Sequence, residues 1–316
     1  MKALLQHRYG ALPASLGLGE ALAPKPGVGE ARIRVSYAAL NPLDWKIVEG
    51  QFKWLVKARP PCGVGFEFSG VVDELGQGAD GFPVGTRVSA TLPANAYRPV
   101  GVAQFAVAPA SLLVKIPANV ELDQAAAVPI AGLSALQLCR LAAIRKGQRV
   151  LINGAAGGVG HLAVQMARNL GAHVTGTARI RNHELVTSLG AEQVIDYRSN
   201  TPGTWGGPFD AVIDCAASLS AADIRTLLPH GGHHVSTLPR FPQLLLDPAL
   251  NHLRSRKHFA LMLKPTTGDL EQLIQQLAAG ELRVFAEQIY PIDAAVEAMV
   301  QLRAGGFAGK IIVQTD

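Results

Sequence analysis

The seven residues Gly154-Ala-Ala-Gly-Gly-Val-Gly160 are the stretch best suited to chemistry. They follow the apolar triplet Val150-Leu-Ile152 and precede His161 to Leu170, whose apolar residues recur at helical spacing. The pattern Ala155-x-Gly157-x-x-Gly160 is a strand–turn–helix fingerprint for the pyrophosphate of a dinucleotide, with Ala in the first glycine position. Gly157 lets backbone approach a phosphate, Gly160 lets the helix pack close, and the free N–H groups at the helix start face an anion. A second strand pattern, Ala172 to Thr177, supplies the expected context.

The residues beyond that strand bear on which dinucleotide binds. An NAD site usually carries Asp or Glu about 20 residues past the fingerprint, on the ribose hydroxyls. Here the segment reads Gly176-Thr-Ala-Arg-Ile-Arg-Asn-His183, without a carboxylate before Glu184. Arg179 and Arg181 stand there instead, and a guanidinium matches a 2′-phosphate that a carboxylate would repel. The expected cofactor is NADPH, with Thr177, Arg179 and Asn182 among its contacts.

Other clusters point to less. Cys62, Cys139 and Cys215 are odd in number and far apart, so neither a disulfide framework nor a zinc lobe is expected. His230, His233 and His234 approach a buried strand without a nearby carboxylate or Cys, and read as structural. Arg254-x-Arg256-Lys257-His258 reads as a solvated helix end or loop. Net charge is +5, and 17% of residues are charged. That suits an anionic cofactor, but without a long basic block no nucleic-acid partner is expected. No apolar run reaches about 18 residues, so no membrane span is expected, and a cytoplasmic location fits.

The positioning elements change character along the 316 residues, enough for two domains. The first ~110 residues hold short strands rich in glycine turns, as in Ala31 to Tyr37 with its period of two, and suggest a partly open barrel. From Asp123 onward helices and strands alternate, which implies a doubly wound parallel sheet. Expected strands are 149–153, 172–177, 193–196, 210–214 and 232–237, ending near Phe259 to Leu263. Expected helices are 124–128, 132–144, 161–170, 183–189 and 221–228. An amphipathic helix from Asp269 to Ala279, capped by Thr267 or Asp269, then opens a tail in which the first domain's character resumes. The expected division is 1–118 plus 265–316 for the outer domain and 119–264 for the inserted cofactor domain.

The order of motifs over nearly the whole chain resembles the medium-chain dehydrogenase/reductase superfamily, and within it the zinc-free quinone oxidoreductase-like branch. The matching pieces are Leu40-Asn-Pro-Leu-Asp-Trp-Lys46, Gly65-Phe-Glu-Phe-Ser-Gly-Val-Val72, Gly85-Thr-Arg-Val88, Ala126 to Ala135, Asn153 to Gly160, Leu189 to Tyr197 and Gly309-Lys-Ile-Ile-Val313. The resemblance implies a Rossmann domain inserted in a discontinuous GroES-like barrel domain. Zinc alcohol dehydrogenases place Cys where this chain has Asn41 and His where it has Phe66; no metal is expected, which disfavours simple alcohol oxidation. The resemblance further implies a cleft near Asn41 and the Gly132-Leu-Ser134 turn. Asn41 would touch the nicotinamide ribose or the substrate oxygen, and Ser134 the nicotinamide. Ala156, Gly157, Gly158 and Val159 would serve the pyrophosphate, and Tyr197 and Cys215 complete the expected cofactor contacts.

The expected reaction is NADPH-dependent hydride transfer to a quinone or an α,β-unsaturated carbonyl, whose conjugation spreads the developing charge. Lys46 is a candidate oxyanion donor, and Asp44 a brace of the 40–46 turn. Phe52, Trp54 and Phe66 are candidates for an aromatic pocket. One alternative is an enoyl-thioester reductase, for which Tyr37 and Tyr97 are poorly placed acids. Another is a largely non-catalytic protein that senses NADPH or binds a partner such as RNA. The edge-strand pattern Phe259 to Leu263 suggests a homodimer.

Overall fold

The computed structural model describes residues 1–53, 56, 58–93, 101–238, 251 and 255–316. The chain divides into two compact units, one of Met1–Ile130, Pro265–Gly280 and Ala286–Asp316, the other of Ala131–Lys264 and Glu281–Phe285.

The first unit is built on short, largely antiparallel strands. A three-stranded sheet runs β2 (Leu16–Glu20), β1 (Lys2–Gln6), β4 (Cys62–Gly63). A seven-stranded sheet centres on β3 (Glu30–Leu40), which pairs with β5 (Glu67–Leu75), β7 (Phe105–Pro109) and β16 (Lys310–Gln314). β6 (Arg87–Thr91) and β8 (Val114–Lys115) extend it on one side, β15 (Ala286–Pro291) on the other. Alternation along β3 sends Ala31, Ile33 and Val35 into a core with Leu4, Phe68, Val88 and Val313. Four α-helices belong here among the described residues: α1 (Pro42–Val48), α2 (Leu122–Ala127) and, in the tail, α7 (Thr267–Ala278) and α8 (Ala295–Ala304).

The boundary expected after residue 118 falls at Ile130 instead. Side chains of the sheet hold the connecting segment. Arg87 donates to the carbonyls of Pro117, Ala118 and Val120, Ser69 to Leu122, and Ser89 to Ala125. α2 is thereby tied to β5 and β6. The cap of α7 also differs from expectation: Thr266, not Thr267 or Asp269, accepts the Asp269 N–H at 3.1 Å.

The second unit is a six-stranded parallel sheet. Its order is β11 (Gln193–Asp196), β10 (His173–Ala178), β9 (Arg149–Asn153), β12 (Ala211–Asp214), β13 (His233–Ser236), β14 (Lys257–Ala260). That is the doubly wound order in which the first and fourth strands are neighbours and ligands bind where the order reverses. Its helices are α3 (Pro129–Leu141), α4 (Gly160–Asn169), α5 (His183–Ser188) and α6 (Ala221–Leu227). α3 starts three residues before the expected Gly132, with Pro129 in the first helical position, where its missing N–H costs nothing. The edge strand lies at Lys257–Ala260, two residues earlier than the apolar run suggested. Val150, Leu151 and Ile152 are fully buried, as the centre of a parallel sheet requires.

The return segment Glu281–Phe285 is stitched to α4. The Arg283 N–H donates to Gln165 Oε1 at 2.9 Å, and the Phe285 N–H to His161 Nε2 at 3.1 Å. His161 Nδ1 lies 2.9 Å from the Gly157 carbonyl, so one ring nitrogen donates and the other accepts.

Candidate functional site

The glycine turn sits between β9 and α4, at the C-terminal edge of the parallel sheet. Gly154 takes φ +79°, and a Cβ on Gly160 would fall 2.1 Å from the Gly154 carbonyl oxygen. Gly160 is therefore required by the close start of the helix. At Gly157 the nearest atom to an added Cβ is 3.4 Å away, an ordinary contact. Protein packing does not demand that glycine, whereas backbone approach of a phosphate would. Gly157, Gly158 and Val159 are partly exposed and Ala156 is buried.

Three polar side chains brace this turn from below. Thr177 donates to Asn153 Oδ1 at 2.7 Å and accepts the Gly154 N–H at 3.0 Å. Asn153 Nδ2 donates to Asp214 Oδ1 at 2.7 Å and to Ser218 at 2.9 Å. Asp214 Oδ2 accepts the Leu219 N–H. The ends of β9, β10 and β12 are thus joined by one buried network. Thr177, expected to contact cofactor, is fully buried with its hydroxyl committed to the turn, so its side chain is a support. Cys215 follows Asp214, and burial pushes its thiol well above the usual range. Asn153 and Asp214 escaped sequence reading, although a polar residue ending each of two apolar runs, Val150–Ile152 and Ala211–Ile213, was the available signal.

Beyond β10, Arg179 Nε donates to the Tyr197 hydroxyl at 3.1 Å. Arg179 caps a short 3₁₀ turn, Ile180–Asn182, and its carbonyl accepts the Asn182 N–H. The sequence thus brings Arg179, Asn182 and Tyr197 to one edge of the sheet, a cationic and hydroxylic group that fits a phosphate. Ser134 lies buried in α3 of the same unit.

The other cluster is in the first unit. In its register Leu40 faces Ile311 and Ala39 faces Glu67, so the ends of β3, β16 and β5 converge. Lys310 Nζ donates to Asn41 Oδ1 at 2.6 Å, Glu67 Oε1 at 2.8 Å and the Leu40 carbonyl at 3.1 Å. Asn41 Nδ2 donates to Glu67 Oε1 at 2.7 Å, and the Ile130 N–H to Glu67 Oε2 at 2.6 Å. Asp44 Oδ2 accepts the Asn41 N–H at 2.6 Å and so braces the start of α1. Asn41, Asp44, Glu67 and Lys310 are each 5% exposed or less. Burial pushes the Glu67 carboxyl upward, against the pull of Lys310 and the hydrogen bonds. Burial, with the nearby Glu67 charge, raises Asp44 to about 7, although its bond from Asn41 and the Lys310 charge oppose this.

Lys46 is not in that cluster. Its ammonium lies 5.5 Å from the Trp45 ring centroid, and partial burial lowers its pKa. Lys310 is the lysine that sequence reading missed. A charged residue opening the apolar run Lys310-Ile-Ile-Val313 was the only local signal, and it does not say whether the lysine is buried or with what. Phe52 and Phe66 pack beside Ile47, Val56 and Ala58, whereas Trp54, Tyr97 and Arg254 lie outside the described residues. Arg256 donates to the Leu228 carbonyl, a bracing role for that basic stretch. His233 and His234 sit in β13 against the rings of Phe259 and His258. Among the described residues no group of three His, Cys, Asp or Glu could hold a metal ion. At the Asn41 cluster a metal does not fit: Phe66 has no lone pair, and both Glu67 oxygens already accept from donors of the protein.

A glycine-turn parallel-sheet unit joined to an antiparallel unit defines a nicotinamide-dependent oxidoreductase. Residues 27–118 match the alcohol dehydrogenase GroES-like domain family, and residues 189–313 the family described as zinc-binding dehydrogenase. The chain is 33% identical to the chloroplast envelope quinone oxidoreductase homolog of Arabidopsis thaliana, over 99% of this chain and 98% of that one. It is 32% identical to the chloroplastic quinone-oxidoreductase QR1 of Triphysaria versicolor, over the same shares. The solved quinone oxidoreductase of Coxiella burnetii superposes with a TM-score of 0.91 at 30% identity, covering 100% of this chain and 99% of that one. The chain belongs to the zinc-free quinone oxidoreductase-like branch of the medium-chain dehydrogenase/reductase superfamily, with a GroES-like and a Rossmann domain.

Proposed function

We propose that the chain is an NADPH-dependent reductase that passes hydride, without a metal, to a quinone or an α,β-unsaturated carbonyl. The observation that carries this reading is the Asn41–Glu67–Lys310 cluster. Reduction of a simple carbonyl calls for a Lewis acid or a proton donor on its oxygen, and this cluster has no donor set for a metal. An acceptor that spreads charge by its own conjugation removes that need. The quinone reductases among the relatives support the same choice.

A bound nicotinamide nucleotide supplies the hydride. The protein's residues seat and orient it. Backbone N–H groups of Ala156, Gly158 and Val159 serve the pyrophosphate, the Gly157 N–H being taken by the Gly154 carbonyl; Arg179, Asn182 and Tyr197 serve the 2′-phosphate, and Ser134 the nicotinamide. Asn41 donates to an oxygen of the reacting ligand, and Asp44 holds Asn41 in place. Three free cysteines suit a reducing compartment such as the cytoplasm, and no helix among the described residues is long and apolar enough to cross a membrane. A homodimer through the β14 edge is part of the proposal, and a monomeric mass in light scattering would dismiss it.

The test follows loss of reduced-nicotinamide absorbance with quinones, enones, enals, enoyl-CoA thioesters and simple aldehydes, each with NADPH and NADH. Fastest turnover of a quinone or enone with NADPH is expected. Fastest turnover of a thioester selects the enoyl-reductase alternative. Tight NADPH binding with no turnover of any acceptor sinks the enzyme reading and leaves a nucleotide-sensing protein.

A further inference from the structure

The buried lysine of the first unit has a consequence for Asn41. A carboxamide has one end that accepts and one that donates, and the two look alike in shape. Here the neighbours choose the orientation. Lys310 can only donate, and it meets Asn41 at 2.6 Å. The Glu67 carboxylate can only accept, and it meets the other end at 2.7 Å. A flipped amide would set N–H against ammonium and oxygen against carboxylate. Glu67 is itself held: Oε1 takes Lys310 as well, and Oε2 takes the Ile130 N–H. Lys310 is also fixed, through the Leu40 carbonyl.

We propose that Lys310 and Glu67 are positioning residues that lock the Asn41 carboxamide with its oxygen inward, so that Asn41 meets a ligand only through its remaining N–H, as a donor. The ammonium does for the orientation of Asn41 what a metal would do for a ligand set, and it does so permanently. The class of ligand atom follows: an acceptor, either a ribose hydroxyl oxygen or the oxygen of the substrate on which charge develops. This rests on the reading that Asn41 faces the reacting ligand, and the measurements below separate the two.

Lys310→Met alone leaves a buried carboxylate unpaired. The double variant Lys310→Met/Glu67→Gln, which removes both charges, is therefore the principal one, with Lys310→Arg as the conservative control. The first readout needs no substrate. In ¹⁵N-labelled protein the Asn41 Nδ2 proton pair, identified by its loss in Asn41→Ala, is compared among wild type, Lys310→Arg and the double variant. A large split between the two protons that persists in Lys310→Arg and shrinks in the double variant is expected. An Asn41 pair unchanged in the double variant overturns the lock.

The second readout is kcat/KM on an acceptor that the wild type turns over. Asn41→Ala is expected to lower it about a hundredfold, the scale of losing one donor to a developing charge. The charge-neutral pair is expected to lower it similarly, and to add less than about twofold in the Asn41→Ala background, because it acts through Asn41. Losses that multiply show a general structural role and overturn the proposal. Asn41→Asp, which offers oxygens in place of the N–H, is expected to fall below Asn41→Ala; activity equal to wild type contradicts donation. A wild type without turnover on any acceptor removes the enzyme reading alone, and the proton pair still decides the lock.

Discussion

Asp44 is held by one short bond from the Asn41 N–H, while its Oδ1 has no hydrogen-bond partner among the described residues. Its pKa rises from 3.8 to about 7, chiefly because burial disfavours the charge. The unfolded chain keeps this proton only below about pH 4, the folded chain up to about pH 7. Folding stability from this group is therefore full at acid pH and lost as pH climbs through that window, by at most about 4 kcal/mol. Asp44→Asn keeps an acceptor for the Asn41 N–H and has nothing to titrate. In urea melts at pH 5 and pH 8 the difference between the two pH values is expected to shrink in the variant, and an unchanged difference would remove Asp44 as its source. Arg179 carries a second prediction at this scale. Arg179→Ala is expected to weaken NADPH binding about tenfold or more, as for a lost charge-assisted contact, and NADH little. Equal losses, measured by nucleotide fluorescence titration, would refute the phosphate role. Both residues stood out in the sequence by type, yet Lys310 did not. Its importance comes from register, since Leu40 opposite Ile311 and Ala39 opposite Glu67 gather residues from both ends of the chain. No local pattern carries that pairing.

The strand–turn–helix element around Gly154 to Gly160 was legible because both its periodicities and its glycines are local. β9 spans Arg149–Asn153, and α4 starts at Gly160, one residue before the expected start. The structure adds rank among the glycines. A methyl group at Gly160 meets backbone at 2.1 Å and 2.8 Å, and at Gly157 nothing closer than 3.4 Å. Gly160→Ala is expected to destabilise the protein by about 1–3 kcal/mol in denaturant melts, the usual cost of overpacking. Gly157→Ala is expected to leave the melt nearly unchanged and to weaken nucleotide binding. Equal melting of the two variants would show that packing does not distinguish them. Thr177 reads as a ligand contact from its place near the C-terminal end of β10, and the structure shows its hydroxyl serving the turn. Thr177→Val keeps the shape and removes both bonds, leaving the Gly154 N–H and Asn153 Oδ1 without that partner. A loss of about 1–3 kcal/mol is expected, and a neutral melt would show that the brace is dispensable.

For the whole molecule, the change from short strands to alternating helices and strands reads as an inserted domain, and the chain divides into two units that are each discontinuous in sequence. The boundary was not legible to better than a dozen residues. α2 reads as the first helix of the new pattern, yet Ser69 and Ser89 bind it to the old one, and Arg87 binds the segment just before it. Likewise Glu281–Phe285 returns to the second unit through backbone donors to Gln165 and His161, which no composition change announces. Net charge is a property of the entire chain and gives the last prediction. At +5 the molecule attracts any dinucleotide, and NADPH more than NADH through its extra phosphate. Added salt shortens the screening length from about 30 Å at 0.01 M to about 10 Å at 0.1 M. The NADPH dissociation constant is therefore expected to rise more steeply with salt than that of NADH. Because the proposal gives Arg179 the local part, Arg179→Ala is expected to bring the two slopes together without abolishing either. Parallel slopes in the wild type would mean that the 2′-phosphate is not read by charge at all, and would remove the charge argument for the proposed NADPH preference.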